Sequence, residues 1–199
     1  MKRILVRCLC LVSISLLIAA LSPTWADYFK SVKDIDAVPL PSGSKILVFA
    51  DVNGVALVDF IESRITSRIQ KKCDVVGVSA RSLFPPTRTF SDEERAKIVM
   101  DAGIKAVLRI SLTDSEQLTK EVGYVTPWHT WAVHTESTGS ADTFELALLP
   151  MTPGPKLWVA TAYYEEDDEE NAEELAWDVV SDLLDNALLP KMVKQAKQP

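Results

Sequence analysis

The sequence predicts an α/β domain, with a single mixed sheet of about five strands and three helices in the order β-α-β-α-β-(β)-β-β-α. Three observations predict it. Apolar runs of strand length alternate with helical spacing over residues 45–110, the pattern of parallel strands joined by crossover helices. Two later apolar runs, at 143–149 and 157–164, flank Met151-Thr152-Pro153-Gly154-Pro155, which makes them an antiparallel hairpin. A wide apolar face then closes the chain: Ala172, Leu175, Ala176, Val179, Val180, Leu183, Leu184 and Ala187 recur at helical spacing, and Pro190 ends the run.

The elements follow in order. Residues 1–26 read as a secretory signal peptide: Lys2, Arg3 and Arg7 start it, an apolar run from Leu11 to Leu21 forms its middle, and Ala26 is the cleavage position. The run is too short to be expected as a permanent anchor. Residues 27–44 form an extended leader, held out of helix by Pro39 and Pro41. The single domain spans 45–190, and 191–199 is a disordered tail. Lys45-Ile46-Leu47-Val48-Phe49-Ala50 suits a strand buried on both faces. After the turn Asp51-Val52-Asn53-Gly54 the period changes. Val58, Ile61, Ile65 and Ile69 make one helical stripe, with Glu62, Arg64 and Arg68 off it. A second strand at 75–79 precedes a loop at 81–90 that holds Pro85-Pro86. Ser91 with Glu94 forms a capping box, and Gly103 is placed to end that helix. Ile104, Ala106, Leu108, Ile110 and Leu112 alternate with polar residues as a strand with one wetter face. Residues 113–142 extend that strand, loop through Pro127 and return as a strand near 130–135.

Composition narrows the function. Nearly half of the 199 residues are apolar and 25% are charged, as in a packed domain. Without the signal, 18 basic residues stand against 28 acidic, a net charge of −10. Nucleic acid and anionic membrane faces would be repelled. Cys8 and Cys10 leave with the signal, and no small residue stands where a lipidated cysteine would need one. Cys73 then has no intrachain partner, leaving either a partly buried thiol or a disulfide between chains.

Three stretches carry a resemblance: Lys45-Ile46-Leu47-Val48-Phe49 before a helix, residues 101–110 (Asp101-Ala102-Gly103-Ile104 onward) at a helix-to-strand junction, and Leu157-Trp158-Val159-Ala160-Thr161-Ala162 before the final helix. Together the chain resembles small bacterial envelope domains, which include the amino-terminal domain of TolB, the curli-secretion lipoprotein and the lipoprotein activators of penicillin-binding proteins. The resemblance covers most of residues 45–189. It implies a periplasmic compartment and a recruiting, scaffolding or regulatory role, with no shared catalytic residues.

No catalytic motif stands out, and no cofactor is expected. Pro127-Trp128-His129-Thr130-Trp131-Ala132-Val133-His134 holds both histidines and two of the five tryptophans. Tryptophan is favoured at binding hot spots, which makes Trp128, His129, Trp131 and His134 the expected interaction surface. The alternatives are aromatic cover for a sheet edge, or a metal site in which a loop brings the two imidazoles together with Glu136. The acidic run 165–170 is either a calcium site or negative charge at a helix N-terminus. Gly77-Val78-Ser79-Ala80-Arg81 only begins like a nucleophile elbow. The expected function is non-catalytic binding of an envelope protein or cell-wall component outside the cytosol. The rivals are a secreted hydrolase pairing Asp51 with Asp114 or Glu116 as acid and base, and a periplasmic carrier of a small ligand or metal ion.

Overall fold

The computed structural model describes residues 28–125, 131–152, 154–165 and 168–192. Within them the chain forms one six-stranded mixed sheet and four helices, three of them substantial. The strands are β1 (Tyr28–Lys33), β2 (Lys45–Asp51), β3 (Val76–Ser79), β4 (Ile104–Val125), β5 (Trp131–Pro150) and β6 (Trp158–Tyr164). The helices are α1 (Val55–Lys72), α2 (Ala80–Leu83), α3 (Asp92–Asp101) and α4 (Asp168–Asp185). Sheet order is β1-β6-β5-β4-β2-β3. Strands β3, β2 and β4 are parallel, as the crossover pattern requires, and β4, β5, β6 and β1 then alternate in direction.

Side-chain alternation along β2 explains the layering. Ile46, Val48 and Ala50 are buried on one face, against α1 and α4. Leu47 faces the other way and packs with Ala80, Val99 and Ile104 under α2 and α3. On that second face burial stops at Phe49, which is 39% exposed and lies outside the cluster around Leu47. On α1 the core stripe is Leu57, Ile61, Ile65 and Ile69, while Val58 is half-buried. Gly77 lets β3 lie against this helix: a Cβ there would meet Thr66 Cα at 3.0 Å. On α4, Ala172, Leu175, Ala176, Val179, Val180 and Leu183 are buried as the periodicity predicts. Its acidic residues fasten the aromatic core, since Trp158 Nε1 donates to Asp182 (2.6 Å) and Tyr164 Oη to Asp178 (2.9 Å).

The capping box forms in full. Ser91 Oγ accepts from the Glu94 amide at 3.2 Å, and Glu94 accepts from the Ser91 amide at 3.0 Å. These bonds, with Arg88 nearby, hold the Glu94 carboxyl below its usual range.

Four local expectations change. The extended leader contains β1, which pairs antiparallel with β6 and sets Phe29 against Trp158 at a 6.2 Å ring separation. Residues 80–83, expected at the edge of a loop, form the single turn α2. The strands expected near 130–135 and at 143–149 are one strand, β5, because pairing with β4 continues through the polar residues between them. Lys191 and Met192, assigned to the tail, instead bond to the end of α1: the Met192 amide donates to Lys72 O at 3.0 Å.

Candidate functional site

Strands β4 and β5 outrun their neighbours. Strand β2 stops pairing with β4 at Ser111, and β6 stops pairing with β5 at Asp142. From Glu116↔Ala141 to Val125↔Trp131, ten rungs continue, and no third strand among the described residues pairs with them. At about 3.3 Å per residue the two-stranded ribbon reaches roughly 30 Å beyond the sheet. Register shifts at Leu112/Asp114 and Leu118/Thr119 mark where it departs. Such bulges bend a strand and raise its twist.

A buried polar cluster ties down the root of the ribbon. Asp142 is 1% exposed, accepts from Ser115 Oγ of β4 at 2.7 Å, and accepts from Asn171 Nδ2 of α4 at 3.1 Å. Strand β4, strand β5 and helix α4 therefore meet on one carboxylate. Composition changes along the ribbon. Near the root stand Glu116, Gln117, Thr119, Lys120 and Glu121; toward the far end stand Val122, Tyr124, Val125, Trp131, Ala132 and Val133.

The expected interaction surface falls at that far end. The register places Trp131 opposite Val125 and His134 opposite Val122. Trp128 and His129 lie outside the described residues.

Asp51 is half-exposed and pairs with Arg109 at 2.5 Å. A shallow cavity of about 220 Å³ on that face is lined by Arg109, Ser111, Glu145 and Lys156 among others, and holds none of Asp51, Asp114 and Glu116. Ser79, the serine of the elbow-like stretch, donates its hydroxyl to Glu62 at 2.5 Å. Glu169 of the acidic run pairs with Arg64 of α1 at 2.6 Å, so this end of α4 is tied to α1 by charge as well as by packing. Among the described residues no group of three His, Cys, Asp or Glu side chains could hold a metal ion. Cys73 is 1% exposed, and burial pushes its thiol up to about 11. A disulfide between chains would require that region to open.

Sequence reasoning missed Glu62. It sits off the stripe of isoleucines, yet it is 1% exposed and accepts from the Ala50 amide, the Arg81 amide and Ser79 Oγ. One carboxylate thus joins the ends of β2 and β3 to the start of α2. The signal was present, because Val58, Glu62, Ile65 and Ile69 also follow helical spacing. A charge on such a stripe calls for buried donors.

No family model and no curated protein matches the sequence. Solved structures are similar to it in differing degree. PelC from Paraburkholderia phytofirmans, determined as a dodecamer, is 10% identical with a TM-score of 0.51, covering 84% of this chain and all of that one. Lipoprotein GNA1162 from Neisseria meningitidis is 18% identical with a TM-score of 0.37, over 72% of this chain and 96% of that one. A minor lipoprotein from Acinetobacter baumannii is 10% identical, with a TM-score of 0.26, over 75% and 98%. The likeness to PelC is one of fold. Among the described residues no helix is long and apolar enough to cross a membrane.

Proposed function

We propose that this chain is a periplasmic or secreted envelope protein that works by contact and not by chemistry, with the β4–β5 ribbon as its reach toward an envelope protein or cell-wall component. The ribbon carries the reading. An isolated two-stranded ribbon is marginally stable in water, and three strands or a packed face are normally needed. A ribbon of ten rungs that is polar at its root and apolar toward its end gains most when that end is covered by something else. Trp128, His129, Trp131 and His134 are the proposed contact residues, since tryptophan supplies a large apolar area with few rotamers to fix. Residues 1–26, read as an export signal, support an envelope setting.

The test is site-specific photo-crosslinking in intact cells. A photoreactive residue at Trp131 is expected to give discrete adducts, and one at Met100, exposed on α3, to give none. Adducts absent at Trp131, or identical from both positions, reject the ribbon as the contact surface.

A second reading concerns the partner's identity. PelC was determined as a dodecamer, which favours copies of this chain among the ribbon's neighbours. Light scattering on the purified protein decides it: self-association that persists when Trp128 and Trp131 are both alanine separates assembly from the ribbon's contact.

A further inference from the structure

On a chain whose net charge is −7, one cleft between α1 and α4 gathers the opposite sign. It has a volume of about 300 Å³, and four cations of α1 line it: Arg64, Arg68, Lys71 and Lys72. Ser63 and Ser67 line it as well, the Ser63 hydroxyl donating to Phe60 O at 3.1 Å, and one carboxylate, Glu173, lines the α4 side. The carboxylates do not balance the cations evenly. Arg64 takes both near ones, Glu169 at 2.6 Å and Glu173 at 3.4 Å. Arg68, Lys71 and Lys72 have no ion-pair partner among the described residues.

Arg68 is the informative member. Its guanidinium lies 3.7 Å from the centroid of the Trp177 ring of α4, so stacking fixes the plane of the group. Its Nε is shut away from solvent without an acceptor. A guanidinium held by a ring and given no carboxylate is pre-set for an anion at its remaining N–H groups. The attraction of a helix C-terminus for cations accounts for Lys71 and Lys72, which sit in the last turn of α1. It does not account for Arg68, a turn earlier and oriented by another helix.

We propose that this cleft binds a phosphate group, either as free phosphate or as the monoester of a sugar-sized molecule. Three unbalanced cations match a group carrying about −1.5 to −2 charge better than a single carboxylate. Fork-shaped and point-charge donors, with the Ser67 hydroxyl beside them, suit its three outer oxygens. The volume leaves room for more than the bare ion, and the site is independent of the ribbon and its proposed partner.

The test is calorimetric titration of the full chain with inorganic phosphate, glucose 6-phosphate and glucose at about 150 mM salt, where exposed charges are screened. Saturable binding of at least one phosphate probe and none of glucose is expected. The triple variant R68Q/K71Q/K72Q is expected to weaken it by about tenfold or more, as removal of charged contacts does. K30Q/K156Q, on exposed lysines of the sheet's other face, is expected to leave it unchanged. Equal affinity for the two probes identifies the free anion as ligand, and tighter binding of the ester identifies the sugar phosphate. If circular dichroism shows the triple variant unfolded, the surface variants K71Q and K72Q are measured singly, each expected to weaken binding. The proposal is overturned if neither phosphate binds saturably, if glucose binds as well, or if the cleft variants bind like the parent chain.

Discussion

The same two strands behave differently at their two ends. Over 106–110 and 144–148, β4 and β5 are flanked by β2 and β6 and covered by α1 and α4; Ala106, Leu108, Ile110, Phe144 and Leu148 are all 0% exposed. Over 116–125 and 131–141 the hydrogen-bonded ladder continues with neither β2 nor β6 paired to it. Backbone pairing is common to both ends, so it does not set them apart. Neighbouring strands do: the first region shares its ladder with β2 and β6 and gains roughly 25 cal/mol per Å² from its buried apolar side chains, while the second pairs as two strands alone among the described residues.

The contrast can be broken from the sheet side first. Leu108→Ala is expected to cost about 2–5 kcal/mol of unfolding free energy, because the site is fully enclosed and collapses poorly. Replacing ribbon residues 118–139 by a two-residue turn is expected to change that free energy by less than about 1 kcal/mol, in keeping with the marginal stability of two-stranded ribbons. Urea titration of both variants checks the pair; comparable losses would mean that the ribbon is part of the cooperative unit.

Two carboxylates hold the covered region in place. Glu62→Ala strands two backbone amides, at Ala50 and Arg81, and is expected to cost about 2–4 kcal/mol. Asp142→Ala acts where the two regions meet. It is expected to cost about 1–3 kcal/mol and to make the ribbon the first site of proteolytic cutting, seen by limited digestion with mass spectrometry.

A milder effect comes from pH. The Cys73 thiol titrates at about 11 in the fold and at 9.0 when solvated. Stability is therefore full below pH 9 and declines as pH rises toward 11, since the unfolded chain loses this proton first. At pH 8 the native thiol should resist iodoacetamide until denaturant is added. Smallest of all, W128A/W131A is expected to leave the unfolding midpoint unchanged within about 0.5 kcal/mol while abolishing partner crosslinks.

Legibility in the sequence follows the same division. Helix α3 is readable because its capping box involves two residues three apart, and α4 because its apolar face repeats over five turns. Strand β1 is not, since Lys30, Ser31 and Lys33 dilute its pattern and its partner β6 lies far along the chain. The tryptophans and histidines of 128–134 stand out by composition alone. The ribbon that carries two of them is legible in part: the sequence extends the strand past Thr113 and returns one near 130–135, but Ser137 and Ser140 break the apolar pattern, and pairing with β4 is what joins that strand to 143–149. Glu62 and Asp142 were hidden by their charge: a buried carboxylate is recognised by its donors, and those come from other elements.

Strand β5 runs without a break from Trp131 into Leu148. Traction applied at Trp131 along the strand is therefore carried by many backbone bonds sharing the strain in parallel, first against β4 and then against β6 as well. Force of that kind is shared among many bonds at once, whereas peeling would break them one at a time.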